Sequence, residues 1–242
     1  MRAPPSLNRH AGETTAVEVV DLAGTPLREL NQRLHDLTAA PGPRLWRVLN
    51  PNGAHAVAAG IDADAEVEIE GHVGYYCAGM NQLATVHVHG NAGPGLAENM
   101  MSGTVVVDGN ASQSAGATGH GGVLVVHGDA SARCGISMKG IDIVVRGSVG
   151  HMSGFMAQRG RLLVCGDTGD ALGDSIYEAR LYVRGEVAGL GADCVEKEVR
   201  DEHLAEIREL LERAGIEDVQ PADFHRYGSA RRLYNFHVDN AY

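Results

Sequence analysis

The sequence predicts an all-β chain: a parallel β-helix, a solenoid with one strong strand per 19-residue coil, carrying short flanking helices, and taken as right-handed although spacing alone does not set the hand. Three observations lead there. Glycine recurs every nineteen residues without insertion, at Gly71, Gly90, Gly109, Gly128, Gly147, Gly166 and Gly185. Counting each as position 1, small residues fill position 4 (Gly74, Gly93, Ser112, Ser131, Gly150, Gly169, Ala188) and position 8 (Ala78, Ala97, Gly116, Gly135, Gly154, Gly173, Ala192). Each repeat then closes on a short run, "TVHV", "TVVV", "VLVV", "DIVV", "RLLV" or "RLYV", in which positions 16 and 18 are apolar throughout. A fixed period near twenty with one strand per repeat is a solenoid signature. Alternation at period 2 puts both apolar columns on the interior face.

The elements follow in chain order. Residues 1–50 form an N-terminal extension in which "TPLRELNQRLHDL" places Leu27, Leu30, Leu34 and Leu37 on one helical face, with Pro26 near the first turn. The segment "APGP" at 40–43 breaks that helix. Residues 51–194 are the β-helix of about seven coils, opening on a degraded coil at "NPNGAHAVAAG" that serves as a cap. The repeat glycines have a structural role, because each coil turns corners where glycine reaches positive φ and leaves room for the coil stacked above. Residues 195–242 hold a second helix, with Val195, Val199, Ile207, Leu210, Leu211 and Ala214 at helical spacing and a stop at Gly215. It is positioned to seal the open end. A tail containing Phe224, Tyr227, Tyr234, Phe236 and Tyr242 docks on something.

Composition excludes several function classes. The 20 Lys and Arg against 31 Asp and Glu give −11, the wrong sign for a nucleic-acid surface. No apolar run approaches the roughly 18 residues of a membrane span, and the N-terminus lacks a signal-peptide core. A cytoplasmic protein is expected. The stretch "GNAGPGLAENMMSGTVVV" from Gly90 looks like a phosphate loop, yet it contains no lysine and runs into another strand instead of opening a helix.

Candidate chemistry is sparse. Cys77 and Cys134 share position 7 three coils apart, about 14 Å, and cannot bridge; with Cys165 and Cys194 they read as structural or free thiols. Position 19 stacks Glu70, His89, Asp108 and His127. Two readings compete: a His89-Asp108-His127 metal ladder, or a solvated ladder in which unlike charges alternate, the latter favoured because the two histidines lie two coils apart. No catalytic, cofactor-binding or metal residue is assigned. One column looks functional: position 17 points outward and reads Val106, Val125, Val144, Leu163 and Tyr182 in consecutive coils. An open apolar stripe of that length marks a partner interface, unless the chain's own helices or tail cover it.

The G-x-x-G-x-x-x-G spacing of "GSVGHMSG" and "GDTGDALG" resembles the C-terminal β-helix domain of the glutamate synthase large chain. The closing "RYGSARRLYNFHVDNAY" is most similar to the free-standing β-helix subunit of N-methylglutamate synthase. Similar coils occur in the β-helix subunit of formylmethanofuran dehydrogenase; Ser112, Ser131 and Ile141 depart from the pattern. The resemblance implies a cytoplasmic hetero-oligomer: a class II glutamine amidotransferase-like subunit, an FMN-dependent glutamate synthase-like subunit with an iron-sulfur cluster, and this chain as scaffold, without catalytic residues or cofactor of its own. The assembly would make N-methylglutamate from glutamate and methylamine. The alternatives are a glutamate synthase-like subunit using ammonia, or the formylmethanofuran dehydrogenase subunit.

Overall fold

A computed structural model describes residues 16–39, 42 and 44–231. The aromatic tail residues Tyr234, Phe236 and Tyr242, and most of the "APGP" break, lie outside the described residues. The fold is a parallel β-solenoid of about seven turns with about 19 residues per coil.

In chain order come β1 (Val17–Asp21), α1 (Leu27–Asp36), β2 (Leu45–Leu49), β3 (Glu66–Glu70), β4 (Thr85–Val88), β5 (Thr104–Val107), β6 (Val123–Val126), β7 (Lys139–Val145), β8 (Arg159–Val164) and β9 (Arg180–Val183). Then follow β10 (Cys194–Lys197), α2 (Asp201–Arg213), a 3-10 turn (Pro221–Asp223) and β11 (His225–Ser229). Strands β1 to β9 pair in parallel, each with the next. The ladder therefore begins well before residue 51, inside what the sequence presents as an extension.

Register keeps identical positions over one another. Val86, Val105, Leu124, Ile143, Leu162 and Leu181 stack directly, and all are fully buried with the position-18 column. At Ile141, which departs from the small-residue pattern, β7 carries a bulge between Lys139 and Asp142. Gly119 below makes the space: a Cβ there would come within 2.9 Å of the Ile141 side chain.

Of the two reasons the sequence offers for the position-1 glycines, the room left for the neighbouring coil holds and the positive φ does not. Gly71 alone of the seven has a positive φ. The left-handed corners fall at positions 6, 8 and 10, among them Tyr76, Ala78 and Met80 in one coil and Arg133, Gly135 and Ser137 in another. What glycine supplies at position 1 is close approach. A Cβ on Gly128 would lie 2.7 Å from the Gly109 carbonyl oxygen and 2.2 Å from Asn110 Oδ1, and one on Gly147 would lie 2.1 Å from Asp129 Oδ1.

Those side-chain oxygens form a second ladder. The position-2 residue of each coil accepts the backbone N–H of its counterpart one coil on. The Asn110 N–H donates to Asn91 Oδ1 (2.8 Å), Asp129 to Asn110 Oδ1 (2.8 Å), Ser148 to Asp129 Oδ1 (2.8 Å), Asp167 to Ser148 Oγ (3.0 Å) and Glu186 to Asp167 Oδ1 (2.8 Å). Corner amides are thereby satisfied without strand pairing.

Each end of the stack is closed by the chain itself. Leu30 and Leu34 of α1 are buried in the main core. Asn31 Nδ2 donates to the Ala56 carbonyl (2.8 Å) and its Oδ1 accepts the Ala58 N–H (3.1 Å), satisfying backbone groups of the first turn. At the other end, β11 runs antiparallel to β9 and to β10. Residues 194–197 are thus strand where helical spacing suggests helix, and Cys194 and Tyr227 enter the core. The second helix starts only at Asp201 and does not seal this end.

Replacing Gly128 by Ala is expected to cost roughly 1–3 kcal/mol or more, because the Gly109 backbone carbonyl as well as the hydrogen-bonded Asn110 Oδ1 occupies the space. Gly24→Ala, with nothing within 4 Å of its added Cβ, should stay within about 0.5 kcal/mol of the parent. Urea denaturation of both variants checks the pair.

Candidate functional site

The outward face of the sheet carries positions 15, 17 and 19, and its character changes along the stack. In β6 to β9 the position-17 column is apolar, and it is not open. Val125, Val144, Leu163 and Tyr182 are buried, packed with Ile207, Leu210, Leu211 and Ala214 of α2 and with Ile216, Val219 and Phe224 beyond it. Val106, half-buried, borders this second core. The expectation that these five residues form a partner interface is therefore corrected. The stripe is the floor on which the chain's own C-terminal segment sits, since exposed valines on a parallel sheet require a cover.

Polar contacts hold that cover in place. Arg161 binds Asp142 with both Nε (2.8 Å) and Nη2 (2.6 Å) and reaches Glu209 of α2 through Nη1 (2.9 Å). Arg213 joins the same Asp142 (3.0 Å). Arg180 pairs with Glu206, whose other oxygen accepts the Tyr182 hydroxyl at 2.5 Å. Burial pushes the Glu206 carboxyl up, but the Tyr182 and Arg180 contacts outweigh it, and the net shift is downward. The Arg161 hydrogen bonds lower Glu209 as well.

Toward the N-terminal coils the face is polar. His87 and His89 lie two residues apart, at the end of β4, and so point the same way, with Glu68 of β3 in register with His87. His87 Nε2 donates to Asp108 Oδ1 (2.6 Å), and His89 Nδ1 to Asp108 Oδ2 (2.8 Å). The remaining ring nitrogens face Glu68 Oε2: His89 Nε2 at 2.5 Å and His87 Nδ1 at 3.5 Å. The two rings have centroids 4.0 Å apart. Partial burial pulls His89 down, but Asp108 and Glu68 outweigh it and hold its pKa above the ordinary histidine value. Asp108 is raised by burial, yet lowered on balance by the two histidines. Below the cluster Glu70 is engaged by Arg47 Nε (2.8 Å). A shallow cavity of about 390 Å³ lined by Val17, Trp46, Arg47, Glu66, Glu68 and Glu70 opens beside it.

Of the His89-Asp108-His127 ladder, the structure brings together only the first two residues. His127 is lowered, chiefly by burial. His87 and Glu68, which the repeat frame presents only as early members of the position-17 column, complete the cluster. The signal available is that positions 17 and 19 of two successive coils carry Glu-x-Glu and His-x-His.

All four cysteines are free and buried, as the repeat frame predicts. Burial pushes the Cys77 and Cys134 thiols up to about 12 and those of Cys165 and Cys194 up to about 11, so none presents a thiolate nucleophile near neutral pH. No helix among the described residues is long and apolar enough to cross a membrane.

Among known proteins, the chain is similar to protein GlxC of Rhizobium meliloti (strain 1021), with 64% identity over 223 residues that span 92% of this chain and 98% of that protein. No family model matches the chain, and no solved structure matches it.

Two outcomes test the cover. Leu210→Ala should lower the unfolding free energy by about 2–5 kcal/mol, whereas Glu212→Ala on the exposed side should stay within about 0.5 kcal/mol; denaturant titration decides. Glu206 and Glu209 have folded pKa values below their unfolded ones. Their contribution is full above the ordinary glutamate value of 4.5 and is lost as pH falls through the lowered values. Stability measured from neutral pH down to about 3 should therefore fall on the acid side, and Glu206→Gln with Glu209→Gln should flatten that fall.

Proposed function

The chain belongs to the same family as protein GlxC, and from that premise we propose that it is the structural subunit of a glutamate synthase-related enzyme of the cytoplasm. The finer form of the proposal is an N-methylglutamate synthase-like complex. In it this chain holds a class II amidotransferase-like subunit and an FMN-dependent, iron-sulfur-containing synthase-like subunit in fixed relation.

The observation that carries the reading is the unbroken parallel ladder from β1 to β9, closed at both ends and along its valine face by the chain's own segments. Such a rod has few internal degrees of freedom, and its repeats give fixed positions to whatever binds along it. The resemblance of "GSVGHMSG" and "GDTGDALG" to the glutamate synthase β-helix supports the enzyme class. Because α2 occupies the valine stripe, partners would contact the surfaces left free. Exposed Tyr75, Tyr76, Met80, Leu83 and Met101 cluster in the coils that follow β3 and β4, and large apolar side chains so placed suit a partner contact.

Purification of the full chain from its native host is the test. Amidotransferase-like and flavin-containing synthase-like chains should co-purify, with FMN and iron, and Met80→Asp with Leu83→Asp should weaken their retention while leaving the chain folded. A chain that emerges alone, or that carries the activity alone, would overturn the proposal.

A further inference from the structure

The polar cluster on β3 to β5 has the arrangement of a metal site with its supporting shell, and this inference stands apart from the scaffold reading. One ligand atom from each of Glu68, His87 and His89 falls within 4.8 Å of the other two, with His89 Nε2 2.5 Å and His87 Nδ1 3.5 Å from Glu68 Oε2, so small side-chain rotations bring all three to one ion with bonds of about 2.0–2.2 Å. The three come from two adjacent coils fixed by register, Glu68 opposite His87, with His89 two residues on.

Asp108 supplies the independent observation. A carboxylate only accepts hydrogen bonds, so Asp108 takes the N–H of His87 Nε2 (2.6 Å) and of His89 Nδ1 (2.8 Å), while Glu68 takes the second N–H of His89 from Nε2 (2.5 Å), the proton that an entering ion displaces. Each ring is thereby turned to aim its other nitrogen at Glu68. A carboxylate on the far nitrogen of a ligating histidine is the arrangement that fixes tautomer and orientation in metalloproteins. Here one carboxylate does it for both rings. The charges also match: Glu68 and Asp108 contribute two negative charges, which one divalent ion neutralises.

We propose that Glu68, His87 Nδ1 and His89 Nε2 bind one divalent first-row transition-metal ion of the zinc type, with Asp108 as the positioning residue for both histidines. Two imidazoles and one carboxylate suit zinc or iron(II) and leave coordination positions open. The Glu68 side chain is 44% exposed and His87 20%, so the open positions face solvent or the neighbouring cavity. A small anion or a donor group from a partner chain is the chemistry that would complete the sphere.

The experiment is zinc titration of the untagged, metal-stripped full chain by calorimetry, with cobalt(II) absorption as a second readout. One equivalent should bind. His89→Gln and His87→Gln should each weaken it by about 100-fold or more, and Asp108→Asn by about 10–100-fold. Cobalt should give ligand-field bands in the parent that fade in these variants, and His151→Ala, away from the cluster, should leave affinity unchanged. Variant folding is checked by metal-free thermal melting, and Glu68→Gln provides an independent ligand substitution should either histidine variant be unstable. Absence of saturable one-to-one binding, or affinity unchanged in His89→Gln and Glu68→Gln, would overturn the proposal.

Discussion

The structure depends on how closely one coil's backbone approaches the next at position 1. From Gly109 to Gly185 each of these glycines donates its N–H to the carbonyl of the one a coil before it, at 2.9 to 3.0 Å. A methyl group at any of them would meet backbone or ladder oxygen at 2.1 to 2.7 Å. This contact sets the nineteen-residue step, because any insertion would move a side chain into the gap. It also brings the position-2 side chains within reach of the next coil's amides, so the turn satisfies its own polar groups.

Once the step is fixed, every position becomes a column, and the outer columns divide the sheet face into two surfaces. Over β6 to β9 the position-17 residues are Val, Val, Leu and Tyr, and they require a cover that α2 provides. Over β3 to β5 the outer columns carry Glu, His and Asp, which meet across coils to form a compact charged cluster. The change from one surface to the other takes place at Val106. The division gives one face to stabilising the rod and leaves the polar face uncovered by α2.

The repeat, the strand ends, the inward columns and the isolation of the cysteines are legible in the sequence, because each rests on a periodicity that one chain displays in full. The cause of the glycines is not, since close approach and positive φ both select glycine. Only the structure places the left-handed corners at positions 6, 8 and 10, where Tyr76, Arg133 and Met152 accept them. Val195 and Val199 fit a helix by spacing, yet β11 offers the 194–197 segment an antiparallel partner, and tertiary pairing overrides local pattern. The valine stripe is visible in the sequence as a surface in need of a cover; that the cover comes from the same chain depends on how the segment after β10 folds back. The cluster is half visible, because position 19 taken alone shows Asp108 between two histidines, while the side chains also meet diagonally with position 17.

The rod and its covering helix share one apolar core and form one unit. Native-state amide hydrogen exchange on the isolated full chain tests it most directly. Amides of α2 should exchange together with those of β6 to β9, at protection near that of global unfolding. Helix amides exchanging through low-energy local opening, well ahead of strands that remain protected, would contradict it and return the valine stripe to the surface as a site for a partner.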